Sequence, residues 1–235
     1  MKRFWTEATI DAEGDGWCVL LDGKPVRVPG GGPLLLPTGP LAEAVAAEWR
    51  AAGGGAGGEM SYADLPLTRL AGTAQERILA DVELVVLEIA RYGETDLLCY
   101  RVEEPAALAD RQHEAWQPWL DWAERELGAR LRVTSTIIHV PQPPASLAAL
   151  AAQVATYGHL ELAALGVAVP ALGSLVLGLA MANFRLTGPE AHALSTLEER
   201  YQAESWGWDG EAAARFRRVG EDLAVAGRFL ALART

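Results

Sequence analysis

A stretch of acidic, amide and aromatic side chains between Leu194 and Asp209 offers the richest chemistry in the sequence. Leu194, Leu197 and Tyr201 are spaced i, i+3 and i+7, which predicts one apolar stripe of a helix. The polar and aromatic side chains that flank or follow this stripe are Glu198, Glu199, Gln202, Trp206 and Trp208. Glu198 and Gln202 border the stripe, whereas Glu199 points well away from it. Acids, an amide and large rings at a helix end favour a protein-docking surface over a reaction centre.

Motifs that would indicate catalysis or a bound metal are incomplete. His113-Glu114 begins like the helix of a zinc protease, but Gln117 stands where the second imidazole is needed. The glycine runs at 30–32 and 53–58 lack the ending of a phosphate-binding loop, and Ser174 lacks the glycine spacing of a nucleophile elbow. The sequence therefore predicts no cofactor and no metal. A carboxylate-dependent hydrolase of unknown substrate stays open as the alternative function, since carboxylates are plentiful.

The charge balance argues against two classes of partner. The 235 residues carry 20 basic and 31 acidic side chains, a formal net charge of −11. Non-specific binding to nucleic acid needs a positive surface that displaces counterions, and binding to anionic lipid needs the same sign. Half of the residues are hydrophobic, which is enough for a sizeable core. We therefore expect a globular protein whose partner is neither nucleic acid nor an anionic membrane surface.

The 21 residues from Leu162 to Ala182 carry no charge and approach the length that spans a bilayer. Pro170 and several glycines interrupt them, however, and much of the rest is alanine. Two shorter buried helices that break near Pro170 explain the same residues, so we expect no insertion into a membrane.

The two cysteines and the N-terminus carry little sign of special chemistry or of secretion. Cys18 and Cys99 lie far apart and define neither a disulfide scaffold nor a zinc site, so each is expected to be a buried residue of a strand. The basic start of the chain has no apolar run behind it, which predicts no secretory signal and a cytoplasmic location.

The order of elements predicts an α+β protein, with a small β-rich N-terminal domain followed by a larger, mainly α-helical C-terminal domain. Strands are expected within the first forty residues, with a hairpin turn at Asp22-Gly23. A helix capped by Thr38 follows, and the glycine run at 53–58 suggests a flexible connection. We therefore place one domain at 1–60 and the other at 61–235. Later strands are predicted at 96–102 and 131–140, and a long helix is predicted around 78–92.

The tryptophans divide into two groups. Trp116, Trp119 and Trp122 recur every three residues on one predicted helix, which is typical of a packed core stripe and less so of an exposed partner-binding face. Trp206 and Trp208 sit between two predicted helices, so we expect them to be the most exposed of the eight.

Taken in order along the chain, the motifs resemble those of the assembly chaperones of the F1 sector of ATP synthase that bind its α subunit, the mitochondrial F1 assembly factor 2 type. The most specific segments are Pro66-Leu-Thr-Arg-Leu-Ala71 and Glu94-Thr-Asp-Leu-Leu-Cys-Tyr-Arg101. Further matching segments follow in order, Gly173-Ser-Leu-Val-Leu-Gly-Leu-Ala180 and Leu194–Gln202 ahead of Trp206-Gly207. The resemblance covers nearly the whole chain. Two departures, Val28-Pro29 after the Lys24-Pro-Val segment and the glycine run at 53–58, lie outside these motifs.

The resemblance implies a bacterial, non-enzymatic protein that holds the free α subunit until the β subunit replaces it, and that is monomeric when free. On this hypothesis Glu198, Glu199, Gln202 and Trp206 contact the partner. Asp96, Arg101 and Trp49 are weaker candidates for the same role. The alternative for these last three is that they only hold the two domains together.

Overall fold

The computed structural model describes residues 1–136 and 138–234. The chain divides into two compact units. The first comprises residues 1–82, 159–164 and the C-terminal residues from Arg228; the second comprises 83–158 and 165–227. This grouping does not test where separately folding domains would divide, so the boundary at residue 60 stays a prediction.

A small antiparallel sheet lies near the N-terminus, and helices make up most of the rest, which confirms the predicted α+β class. The strands are β1 Ala8–Glu13, β2 Gly16–Leu21, β3 Lys24–Pro25 and β4 Leu35–Leu36. The helices are α1 Gly39–Ala51, α2 Pro66–Thr73, α3 Val82–Ala90, α4 Ala106–Leu127, α5 Pro144–Val154, α6 His159–Leu172, α7 Leu175–Ala182, α8 Gly188–Ser195, α9 Leu197–Trp206 and α10 Gly210–Arg234.

Strand β2 is the centre of the sheet, because β1, β3 and β4 all pair with it. The predicted hairpin turn is confirmed: Leu21 pairs with Lys24, and Asp22 and Gly23 both have positive φ, 46° and 78°. Two successive residues with positive φ form a tight turn whose twist matches that of the flanking strands. Helix α1 packs on β1 and β2.

The glycine run at 53–58 forms a hydrogen-bonded loop of the first unit. The amide of Arg3 donates to the Gly58 carbonyl at 2.9 Å, and the Gly57 amide donates to the Arg3 carbonyl at 2.8 Å. Gly53, Gly54 and Gly57 have positive φ, which explains why glycine is used here. The sequence suggested only a flexible connection here and did not predict this hydrogen-bonded loop.

The apolar segment 162–182 forms parts of α6 and α7, and most of its side chains are buried. The break between the two helices lies at Gly173, which has φ of 62°, and at Ser174, whose hydroxyl caps α7. Within the described part of the chain, no helix combines the length and the apolar character needed to cross a membrane.

Two predictions about local structure are wrong, and a third is confirmed only in part. Residues 96–102 contain a 3-10 turn, Leu97–Cys99, and no regular strand. The segment 131–140 includes residue 137, which lies outside the described residues; its other residues contribute one isolated parallel bridge, Tyr100 to Thr134. The expected helix around 78–92 is interrupted, because a π-helical turn Ala74–Ile78 precedes α3 and a 3-10 turn Arg91–Thr95 follows it. Cys99 is accordingly buried in a turn, whereas Cys18 is buried in β2 as predicted.

Candidate docking surface

Helix α9 carries most of the residues that the sequence singled out. It begins after Thr196 and ends at Gly207, whose φ of 73° stops the helix. Glu198 and Glu199 lie in its first turn, where carboxylates are favoured by the positive end of the helix dipole. The side chains of α9 divide between two faces, one toward α4 and one toward an open groove.

The α4 face of α9 is held by polar contacts. Gln112 donates from Nε2 to Oε1 of Glu198 at 2.6 Å. Arg111 pairs with Glu204 at 2.7 Å, and its guanidinium lies over the Tyr201 ring, 5.1 Å from the centroid. Burial, and to a lesser extent the charge of Glu199, raises the pKa of Glu198. Glu198 therefore anchors α9 to α4 in this structure.

The other face of α9 lines a groove with a volume of about 510 Å³, which we call the α9 groove. Glu199, Gln202 and Trp206 lie on it together, at the i, i+3 and i+7 spacing that places residues along one side of a helix. The groove is completed by Leu97, Pro170, Ala171, Leu172, Gly173, Ser195, Thr196, Ala203, Gly207, Trp208, Asp209, Ala212, Arg215, Phe216 and Val219. Three of the four principal predicted docking residues thus share one surface.

One ion pair crosses the wall of the α9 groove. Arg215 of α10 donates to Oε1 of Glu199 at 2.5 Å, and the two side chains are 65% and 40% exposed. Exposed pairs of this kind contribute only about 0–1 kcal/mol to stability. A charged group from a partner can therefore replace either member at small cost.

The aromatic rings of the groove differ in how they are held. Trp206 is 83% exposed, as the sequence predicted. Trp208 packs on Phe216 with ring centroids 4.7 Å apart, and Phe216 packs in turn on His192 at 4.3 Å. Trp206 is therefore the ring that presents the most uncovered area to a partner.

Asp96 is fully buried beneath the α9 groove. Its carboxylate accepts hydrogen bonds from the Ser174 hydroxyl at 2.8 Å, the Val176 amide at 2.9 Å and the Leu98 amide at 3.0 Å. The Leu97 amide also donates to the Gly173 carbonyl at 2.9 Å, and both of these residues line the groove. Asp96 thereby positions the groove floor, and a direct contact between Asp96 and a partner stays a prediction.

Arg101 lies behind the α4 face of α9. It donates from Nε to the Leu98 carbonyl at 2.8 Å and from Nη1 to the Gln112 carbonyl at 3.2 Å, and it stacks over Trp116 at 5.4 Å. The Trp116 indole donates to the Leu194 carbonyl at 2.9 Å. Trp116 is fully buried and Trp122 is 7% exposed, in agreement with the predicted core stripe, whereas Trp119 is only half-buried. These contacts make Arg101 a support of the helix pair, and its role as a docking residue stays a prediction.

Trp49 belongs to the first unit, whereas the other candidates belong to the second. It is 6% exposed and meets Trp5 edge-on with centroids 5.0 Å apart. The Trp5 indole donates to the Trp49 carbonyl at 3.1 Å. Trp49 is therefore packed within the first unit, and its contact with a partner stays a prediction.

Sequence reasoning missed half of the α9 groove. Leu97, Pro170, Arg215 and Phe216 come from separate parts of the chain, and no local pattern links them to α9. The one available signal for a following helix was Asp209, because an aspartate two residues after the glycine that ends α9 can cap the next helix. The Asp209 carboxylate does accept a hydrogen bond from the Ala212 amide at 2.7 Å. Within residues 1–136 and 138–234, no group of three His, Cys, Asp or Glu side chains could hold a metal ion.

Comparison with known proteins decides the family. A family model described as ATP12 chaperone protein matches residues 2–124, more than half of the chain. The chain belongs to the ATP12 chaperone family. It is therefore a chaperone of the ATP synthase assembly type, as the resemblance of its motifs implied.

Solved structures and a curated relative agree with this family. The crystal structure of Atp12 from Paracoccus denitrificans is 43% identical in sequence, with a TM-score of 0.92 and coverage of 99% of this chain and 98% of that one. The Atu1473 protein of Agrobacterium tumefaciens is 37% identical with a TM-score of 0.89, over 100% of this chain and 86% of that one. The mitochondrial protein atp12 of Schizosaccharomyces pombe is 25% identical over 217 residues, 88% of this chain and 74% of that protein.

Proposed function

We propose that this ATP12-family chaperone holds the free α subunit of the F1 sector of ATP synthase until the β subunit replaces it. The α9 groove is its docking surface. The observation that carries this proposal is the convergence of Glu199, Gln202 and Trp206 on one groove with an apolar floor. We infer that the protein acts by binding alone, as a monomer in the cytoplasm, without catalysing a reaction.

The composition of the groove suits a partner that must later leave. Pro170, Leu172 and Phe216 offer apolar area at the floor and far wall, while Glu199 and Arg215 place charge at the side. Interfaces with an apolar centre and a polar rim bind specifically, and a few aromatic anchors supply most of the affinity. Before assembly, an α subunit exposes the face that later meets the β subunit, and such a face promotes aggregation. Covering it with a groove of modest size protects it and still allows exchange.

Opening the ion pair in the groove wall is the step that admits the client. A basic or amide group of the α subunit would take the place of Arg215 beside Glu199, and Trp206 would pack on neighbouring apolar area of the client. Because the broken pair is exposed, its loss costs little, and the new contact becomes partly desolvated and stronger. The Glu199 carboxylate is thus the polar centre of the proposed contact.

Reversing the charge of Glu199 tests the docking surface. We expect Glu199→Lys to weaken binding to the purified F1 α subunit of the same bacterium by at least tenfold, because the change removes the acceptor and repels a basic client group. Glu204→Lys is the matched control: it lies on the same helix and also pairs with an arginine, Arg111, but it does not line the groove. Binding is measured by titration of labelled chaperone, and protection by light scattering of the warmed α subunit.

Two results would count against the proposal in different ways. If the unmodified chaperone forms no complex with the α subunit, the client is wrong. If it forms a complex that Glu199→Lys and Glu204→Lys affect equally, the client stands and the α9 groove is not its docking surface. Addition of β subunit to the preformed complex is expected to release the chaperone.

A further inference from the structure

The first unit contains a second groove, with a volume of about 500 Å³, which we call the Trp49 groove. The residues that matter to its chemistry are Arg27, Trp49, Arg69, Glu76 and Arg77. The strand end and loop at 26–34 form one side, and α2 with the π-helical turn after it forms the other. The two grooves share no lining residue.

The carboxylate of Glu48 fixes the helical side of the Trp49 groove. It accepts from the amides of Leu67 and Thr68 at 2.7 and 3.0 Å and from the Thr68 hydroxyl at 2.9 Å. These are free donors of the first turn of α2, so Glu48 caps that helix from outside. The position of α2 relative to Trp49 on α1 is therefore set by a specific, partly buried contact, and the groove is a built feature of the unit.

The charge of the Trp49 groove is opposite to that of the whole chain. Three arginines, Arg27, Arg69 and Arg77, line it, and all three are exposed; Glu76 is its one acidic lining residue. The Glu76 carboxylate already accepts a hydrogen bond from the Gly30 amide. Within the described residues, no carboxylate lies within 4.0 Å of a nitrogen of Arg69 or Arg77. A chain with 31 acidic and 20 basic residues thus leaves these guanidinium groups without acidic partners.

The spacing of the arginines indicates the shape of the ligand. Arg69 and Arg77 are eight positions apart along α2 and the π-helical turn, which corresponds to roughly 12 Å along a helix. An extended polypeptide covers that distance in about four residues. Two carboxylates of one extended segment could therefore meet both guanidinium groups, each of which binds carboxylates with paired N–H donors.

Trp49 provides a second, independent observation. Trp49 is only 6% exposed. Its indole Nε1 is buried and has no hydrogen-bond partner within the described residues. Unpaired buried donors are rare in proteins and unfavourable. A backbone carbonyl of a segment that enters beside the Trp49 ring would supply the missing acceptor.

We propose that the Trp49 groove takes an extended acidic segment of the client polypeptide, as a docking site separate from the α9 groove. The chemistry of the occupant is argued from the groove alone; that the occupant is the client rests on the proposed function. The three arginines attract the acidic segment and pair with its carboxylates, and the Trp49 N–H binds its backbone. Binding at this site is therefore sensitive to salt.

Binding of an acidic segment to the Trp49 groove is tested with hexaglutamate as the probe and hexalysine as its control. The indole N–H resonance of Trp49 is followed in NMR spectra of the full chain. Trp49→Phe, which keeps a ring and removes the N–H, identifies that resonance. We expect hexaglutamate to shift it saturably and hexalysine to leave it unchanged. The double variant Arg69→Glu with Arg77→Glu is expected to weaken this binding at least tenfold. Arg125→Glu with Arg130→Glu changes the charge equally at exposed positions outside both grooves and should have little effect.

The same two double variants are then titrated with the F1 α subunit. We expect the groove variant to bind about three- to tenfold more weakly than the control variant. A Trp49 resonance that hexaglutamate does not shift, or shifts equally in both double variants, would overturn the acidic-segment chemistry. If the peptide binds as expected but the two variants bind the α subunit equally, the groove does not hold the client, while the proposed function stands. If the unmodified chain does not bind the α subunit, the proposed function fails and the client assignment fails with it, whatever the peptide does.

Discussion

Asp96 and Glu199 are two acids of the same unit that the structure treats in opposite ways. Asp96 is fully buried, and its carboxylate accepts three hydrogen bonds from Ser174, Val176 and Leu98. Glu199 has a side chain that is 40% exposed, with a single ion pair to Arg215. Glu199 lies on the wall of the α9 groove, whereas Asp96 does not line the groove and supports its floor from below.

The difference separates positioning from docking. A buried acid with all its donors supplied by fixed segments cannot exchange them for a partner without exposing unpaired amides, which is costly. An exposed acid in one weak pair can exchange that pair almost freely. Buried residues such as Asp96 fix the shape of the surface, whereas exposed residues such as Glu199 are free to bind a partner. Variants should therefore separate the two roles, with loss of stability at Asp96 and loss of binding at exposed residues of the α9 groove.

The largest effect is expected from removal of the buried acid. Asp96→Ala leaves the Val176 and Leu98 amides without an acceptor and should lower the free energy of unfolding by about 3 kcal/mol. Urea unfolding followed by circular dichroism measures this loss. Asp110→Ala, at an exposed aspartate of α4, should change the free energy by less than about 0.5 kcal/mol. Equal midpoints for the two variants would remove the distinction between Asp96 and a surface acid.

A pH dependence follows from the same burial. Desolvation raises the pKa of Asp96 from 3.8 to about 6. The folded chain therefore binds more protons at this site than the unfolded chain between these two values. The resulting stabilisation is complete below pH 3.8 and is lost as the pH rises through 6, with a total of roughly 3 kcal/mol at most.

Asp96→Asn is the variant that isolates this dependence, because an amide does not titrate. The stability of the original chain relative to Asp96→Asn should fall between pH 4.5 and pH 7, measured by urea unfolding at each pH. Half-buried carboxyls such as Glu48 and Glu198, whose pKa values are also raised by desolvation, contribute to both proteins and cancel in the difference. A difference that is constant over this range would show that Asp96 is charged throughout.

The contrast between Asp96 and Glu199 also explains what could be read from the sequence. Spacing correctly placed Glu199, Gln202 and Trp206 on one side of α9, since helical periodicity is local information. It could not show that Glu198, one position away and rotated by roughly 100°, would meet Gln112 of α4. Nor could it show that residues 96–102 would form a turn, because the contacts that hold Asp96 come from residues 174 and 176. Tertiary contacts overrode the strand propensity of that segment.

The smallest effect on stability is expected at Trp206. Because this ring is 83% exposed, Trp206→Ala should change the free energy of unfolding by less than about 0.5 kcal/mol. The same substitution should weaken binding to the α subunit by about tenfold, roughly 1.4 kcal/mol, as expected of an aromatic anchor.

Phe4→Ala, at another aromatic ring that is 76% exposed and outside both grooves, is the control for loss of exposed apolar area. Titration of the α subunit with each variant compares them, and a Trp206→Ala variant that binds like Phe4→Ala would mean that Glu199 acts without an aromatic neighbour. An affinity loss confined to Trp206 would instead show that exposed side chains of the α9 groove supply binding, while the buried carboxylate below them supplies stability.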